Sequence, residues 1–96
     1  MIFEWGEGKN KINIKKHRVS FEWAKEIFDD PLHISVLDKR FDYFEERWVT
    51  LGSTKSGIIL VVGHMYYLTE EAEEVIKVIT ARKATKKERE QYEKIS

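Results

Sequence analysis

Along some stretches of the chain apolar and polar positions alternate, and along others they recur every three or four residues; the switches between these periods mark the elements. Ile2-Phe3-Glu4-Trp5 alternates weakly and predicts a short first strand, which Gly6-Glu7-Gly8 breaks. Residues 9–17 hold few apolar positions and read as a helix. On it Lys9, Asn13, Lys16 and His17 share one face, while Ile12 offers a core contact from a neighbouring face. Ser20 is an N-cap, and Phe21, Ala24, Ile27 and Phe28 form the apolar stripe of a second helix. Asp29-Asp30-Pro31 ends it, because the residue before a proline is pushed out of the helical region. Residues 32–44 lack a strong period and read as a connection with a short strand at 34–37.

The second half of the chain is strand-rich. Residues 45–52 alternate, with Arg47, Val49 and Leu51 facing one way and Glu46, Trp48 and Thr50 the other. A turn at residues 53–57 then pairs this strand antiparallel with residues 58–65. Residues 66–74 form an acidic connection, and 75–79 a last strand buried on at least one face. Thr85 and Glu88 have the spacing of a capping box and start a final helix over residues 86–94. The order β-α-α-β-β-β-α predicts one α+β domain over residues 1–96, an antiparallel β-sheet with helices packed on one side.

Composition changes this picture little, whereas the distribution of charge changes it more. The chain has no cysteine, so neither disulfides nor thiolate chemistry enters. There is no N-terminal signal-like apolar region, and the longest apolar stretch, residues 58–62, falls far short of a membrane span. The expectation is therefore a cytoplasmic protein with no membrane contact. Net charge is zero, yet residues 1–18 carry five basic and two acidic side chains, residues 19–74 five and twelve, and residues 75–96 seven and three. If the fold joins the two ends, a basic patch suited to nucleic acid forms beside an acidic flank.

Chemistry-bearing residues cluster toward those basic ends. Arg82 and Lys83 fall where the last strand is expected to hand over to a helix N-terminus, and such a corner suits an oxyanion. His17 falls in the last turn of the first helix, where the helix dipole favours the imidazolium. His17, His33 and His64 are too widely spaced to suggest a metal site, so no metal or cofactor is implied. Trp5, Trp48 and Phe44 are expected in the core.

Several short motifs, in this order and spacing, resemble the BrnT family of bacterial toxins, whose fold is similar to that of RelE-type ribonucleases. They are Phe3-Glu4-Trp5, Lys9-Asn10, Lys16-His17, Val19-Ser20-Phe21 with Ala24, Phe28-Asp29-Asp30-Pro31, Glu46-Arg47, Gly52, Ala81-Arg82-Lys83-Ala84, Glu88-Arg89 and Tyr92. The chain departs from the family pattern at Gly63-His64-Met65 and at Lys77. The resemblance implies an endoribonuclease toxin of a type II toxin–antitoxin system that cuts RNA and inhibits translation. It further implies a BrnA-like ribbon-helix-helix antitoxin that buries the active face, represses the operon by binding operator DNA, and assembles with the toxin as a heterotetramer.

Cutting RNA without a metal needs a base for the 2′-hydroxyl, an acid for the leaving 5′-oxygen and cations around the phosphate. On that scheme the candidate catalytic residues are His17 as acid or base, with Arg47 and Arg82 as a phosphate clamp. Lys9, Lys16 and Lys83 would track the flanking backbone, and Tyr92 would stack on a base or orient Arg82. Glu46 is a further possible base, whereas capping already accounts for Glu88. Two other readings stay open: a module that binds RNA or the ribosome without cutting, and a scaffold subunit of an autorepressing complex.

Overall fold

The structure, a computed structural model, describes residues 1–40 and 45–95. Phe44, expected in the core, lies outside them. Strands β1 (Ile2–Glu4), β2 (Ile34–Leu37), β3 (Trp48–Ser53), β4 (Ile59–Leu68) and β5 (Glu74–Lys83) form one sheet in the order β1-β5-β4-β3-β2. Helices α1 (Glu7–His17) and α2 (Phe21–Ala24), the latter prolonged by a 3-10 turn at Lys25–Asp29, join β1 to β2, and α3 (Lys86–Ile95) follows β5. The α+β architecture is the one the alternation predicts, and the short strand read within a connection at Ile34–Leu37 is a full member of the sheet, so the order is β-α-α-β-β-β-β-α rather than β-α-α-β-β-β-α. The sheet is mixed rather than wholly antiparallel, because β1 adds to the edge of β5 in parallel while the other neighbours run antiparallel.

Side-chain alternation along β4 divides the domain. Leu60 and Val62 point to one face, where they meet Val19, Phe21, Ala24 and Ile27. Ile59 and Val61 point to the other, where they meet Ala84 and Tyr92. The second helix and its 3-10 extension thus pack on one face and α3 crosses the opposite one, so the helices are not all gathered on one side. Ser20 caps α2 as expected, its Oγ accepting from the Trp23 N–H at 3.0 Å. Gly52 lets the 3-10 turn settle onto β3: a Cβ there would sit 2.9 Å from the Ile27 Cβ.

The polar residues of α1 anchor it. Ile12, expected to touch the core, is 66% exposed, and the buried position is Asn13. The reason lies in the sheet edge. β1 covers β5 only through Lys77, so farther along the strand Ala81 presents a backbone N–H and C=O with no strand beside them. The Asn13 amide takes the strand's place, donating to the Ala81 and Val19 carbonyls at 2.8 Å each and accepting from the Ala81 N–H at 3.2 Å. Asn10, a turn earlier on the helix, acts in a related way, its Oδ1 accepting from the Phe21 N–H at 2.8 Å.

Both long strands outrun their expected ends. β4 continues through Tyr66, Tyr67 and Leu68, and β5 continues through Thr80, Ala81, Arg82 and Lys83. Pairing, not hydropathy, sets these limits: β4 and β5 hold each other from Leu60↔Lys83 to Leu68↔Glu74. Their register shifts once, from Gly63↔Thr80 to His64↔Val78, so Ile79 is an extra, bulged residue.

Candidate functional site

The bulge at Ile79 decides where Arg82 points. Without it Val78, Thr80 and Arg82 would share a face, and Val78 belongs to the core under α2 and its 3-10 extension. The extra residue reverses the phase, so that Ala81 enters that core and Arg82 turns to the opposite face. Arg82 is the last-but-one residue of β5, still paired in the sheet, where the strand hands over to α3 as the sequence predicts. Gly63 lies across from Thr80 on the same face and keeps the floor open, since a Cβ there would sit 2.6 Å from the Thr80 Oγ1.

A cleft of about 420 Å³ opens above this floor, and Arg40, Arg47, Arg82 and Lys39 line it together with Asp38 and Glu88. Two acid–base pairs order its rim. Glu88 grips Arg82 with both oxygens, at 2.7 Å from Nη1 and 2.9 Å from Nη2. Glu88 is held in turn by its capping box: its Oε1 accepts from the Thr85 N–H at 2.9 Å, and the Thr85 Oγ1 accepts from the Glu88 N–H at 3.2 Å. Asp38 holds Arg40 in the same two-oxygen manner, at 3.0 Å from Nε and 3.1 Å from Nη2. Its backbone N–H also donates to the Arg47 carbonyl at 2.7 Å, tying the end of β2 to the approach of β3.

The ionisation of the cleft follows from these contacts. Hydrogen bonds from Arg82 bring the Glu88 carboxyl down to about 2, so it is a carboxylate at any physiological pH. The same hydrogen bonds hold the Arg82 guanidinium above its ordinary value, against burial and the like charge of Arg40. The cleft thus combines fixed cations with a Glu88 carboxylate too weakly basic to take a proton readily. Such a surface can hold a phosphate and stabilise added negative charge on it.

The residues singled out from the sequence separate into groups. Arg47 and Arg82 line the cleft together. His17, Lys9, Lys16, Lys83, Tyr92 and Glu46 are not among its lining residues. Lys9, Lys16 and His17 belong to α1, which is anchored at the open edge of β5 through the Asn13–Ala81 contact. Lys83, next to Arg82 on the strand, points to the face opposite the cleft. Tyr92 is buried against Ile59, Val61 and Ala84, and its hydroxyl donates to the Asp30 carboxylate. Burial and that bond push its pKa up to about 12. It locks α3 to the end of the 3-10 turn, and Glu88 rather than Tyr92 orients Arg82.

Arg40, Asp38 and Asp30 were missed. Arg40 and Asp38 stand in a stretch without periodicity, and only the spacing of acid and base two residues apart hinted at a pair. Asp30 reads in the sequence as a helix terminator, yet its carboxylate accepts from the Ser53 N–H at 2.8 Å and the Leu32 N–H at 2.9 Å, besides Tyr92. Burial raises its pKa, but these bonds outweigh the burial and leave it below the ordinary value. His64, which departs from the family pattern, is buried edge-on against Phe28, with ring centroids 5.1 Å apart. Its Nε2 lies 2.6 Å from the Thr50 Oγ1, and burial lowers its pKa, so it is neutral.

Fold and cleft together define a small α+β domain that gathers Arg40, Arg47 and Arg82 on one cleft. Comparison with known proteins gives that class a family. Residues 5–88 match the model of the ribonuclease toxin, BrnT, of type II toxin–antitoxin systems, and the chain belongs to that family. Among solved structures it is similar to the ribonuclease toxin BrnT of Brucella abortus, with a TM-score of 0.60 and 21% identity, over 90% of this chain and 100% of that one. At that identity the likeness establishes the fold. None of the curated proteins matches the chain. Membership of a type II toxin–antitoxin family implies an antitoxin partner. No described helix is long and apolar enough to cross a membrane.

Proposed function

We propose that this chain is a metal-independent endoribonuclease that cuts RNA in the arginine cleft and thereby inhibits translation. The observation that carries the reading is the convergence of Arg40, Arg47 and Arg82 on one open cleft in a chain of the BrnT ribonuclease family. Attack of a 2′-oxygen on the neighbouring phosphorus forms a 2′,3′-cyclic phosphate and breaks the bond to the 5′-oxygen. The 2′-hydroxyl proton leaves and the 5′-oxygen gains one. Between these events the phosphate carries extra negative charge, and fixed guanidiniums stabilise that state more than the ground state. On this reading Arg47 and Arg82 are the clamp and Arg40 its third cation. On the same reading Lys9, Lys16, Lys83 and His17, none of which lines the cleft, serve the flanking backbone rather than the reacting phosphate.

The cellular setting follows the family: a cytoplasmic toxin, held in check by a BrnA-like ribbon-helix-helix antitoxin within a heterotetramer that also represses its operon. Growth of induced cultures, with their RNA resolved on gels, tests the activity. Wild type is expected to arrest growth and degrade RNA, and Arg82→Ala, folded as judged by circular dichroism, is expected to lose both by about 100-fold or more in rate. Arrest with intact RNA would point instead to a binding module, and no arrest from wild type to a repressor scaffold. Unchanged cleavage in the double variant Arg47→Ala/Arg82→Ala would remove the cleft from the reaction.

A further inference from the structure

An arginine offers five N–H donors, and those of Arg82 are unequally committed. Nη1 donates to the Glu88 Oε1 at 2.7 Å and to the Lys83 carbonyl at 3.3 Å, and Nη2 donates to the Glu88 Oε2 at 2.9 Å. The end of the fork is therefore occupied. What remains is the Nε–H and the second hydrogen of Nη2, which lie side by side along the other edge of the guanidinium plane. No described residue accepts from them. These are the donors Arg82 has left for anything entering the cleft it lines.

We infer that Glu88 is a positioning residue: it holds the end of the Arg82 fork so that Arg82 binds a phosphate through its side edge, by Nε–H and Nη2–H, with the Arg82–Glu88 pair intact. This rests on the reading of the cleft as an RNA phosphate site. The carboxylate is itself fixed at the start of α3 by the Thr85 N–H, so the guanidinium plane is tied to both β5 and α3. A plane held at one edge loses little freedom when the other edge binds, which is how preorganised donors act on a developing charge. The competing arrangement is displacement, in which phosphate evicts Glu88 and takes the end of the fork. The two differ in sign. Positioning makes Glu88 helpful to the reaction, whereas displacement makes it a competitor.

Glu88→Gln separates them, because the amide keeps an oxygen for the Thr85 N–H but removes the charge and one acceptor. Positioning predicts that kcat falls about 10- to 100-fold while KM stays level or drops, since the cleft becomes more positive and binds RNA more readily. Thr85→Ala, which removes the hydroxyl cap but leaves the Arg82–Glu88 pair, is expected to keep kcat within about twofold of wild type. A rise in kcat for Glu88→Gln would overturn the inference, and so would an unchanged kcat.

A second measurement does not depend on cleavage. In wild-type protein titrated with inorganic phosphate, the Arg82 Nε–H resonance should shift while the Glu88 carboxylate carbon stays at its paired position. A Glu88 carbon that moves to the position of a solvated carboxylate as phosphate binds would overturn the inference. Wild type that takes phosphate through the Arg82 Nε–H yet cuts no RNA would uphold the side-edge geometry and defeat the ribonuclease reading alone.

Discussion

The two faces of the sheet are built from alternate residues of the same strands and do opposite work. On one face Leu60, Val62, Ile76, Val78 and Ala81 close against Val19, Phe21, Ala24 and Ile27, and almost nothing of that core reaches solvent. On the other, Ile59 and Val61 meet Ala84 and Tyr92, with Val49 and Leu51 partly buried beside them. Among the described residues a single short helix covers that second face, and beside it stand the arginines. The lesson is one of division: a small domain can leave a face open and charged only if the opposite face supplies most of its stability. The closed face also contains a polar anchor, Asn13, satisfied by backbone alone and therefore indifferent to pH.

That contrast is tested most severely by substitution in the closed face. Phe21 is fully buried, ties the start of its helix to Asn10 and meets Trp5 edge-on. Phe21→Ala is expected to cost about 3–5 kcal/mol, enough to leave a domain of this size largely unfolded. Urea denaturation followed by tryptophan fluorescence measures it. The counterpart on the open face is Arg82→Ala, whose side chain is 40% exposed: its cost in stability should stay near ~1 kcal/mol, whereas activity is lost. Equal destabilisation by the two would mean that both faces carry the fold.

Asn13→Ala comes next in size. It leaves the Ala81 N–H and the carbonyls of Ala81 and Val19 buried without partners, at about 2–4 kcal/mol. Hydrogen exchange of the Ala81 amide reads the loss directly, since that proton should exchange by local opening in the variant and by global unfolding in wild type. Protection that survives the substitution would show that water or a shifted β1 takes the place of the side chain.

Much of the fold was legible because its signals are local. Ser20, the stripe of Phe21, Ala24 and Ile27, the Thr85–Glu88 box and the turn ending at Gly57, whose φ is +87°, each declare themselves within a few residues. What stayed hidden depends on contacts distant in sequence. The parallel docking of β1, the burial of Asn13 in place of Ile12, and α3 crossing to the second face all require partners dozens of residues away. The bulge at Ile79 is the sharpest case. Residues 75–79 read as one continuous strand, apolar but for Lys77, and nothing in them reveals the extra residue that turns Arg82 outward. Arg47 and Arg82 were recognisable as cations suited to phosphate; that Arg40 joins them, and that Lys9, Lys16 and His17 do not line the cleft, was not.

The smallest expected effect concerns pH and belongs to the open face alone. Glu88 titrates at about 2 in the folded chain against an ordinary value of 4.5, chiefly because Arg82 hydrogen-bonds its charged form. A carboxyl whose pKa is depressed by folding contributes stability in full above pH 4.5 and loses it as pH falls through 2. The pair is partly exposed, so screening by water reduces that contribution to about 1 kcal/mol. Asp30 shares the acid limb, since its pKa is lowered too, and the comparison of wild type with Glu88→Gln removes that common contribution. Urea midpoints measured from about pH 6 down to about pH 2.5 should therefore converge as the medium becomes acid, the wild-type advantage shrinking as Glu88 takes up its proton. Parallel curves would mean that the Arg82–Glu88 pair carries no stability. The charge on Glu88 would then serve only to hold the guanidinium in place.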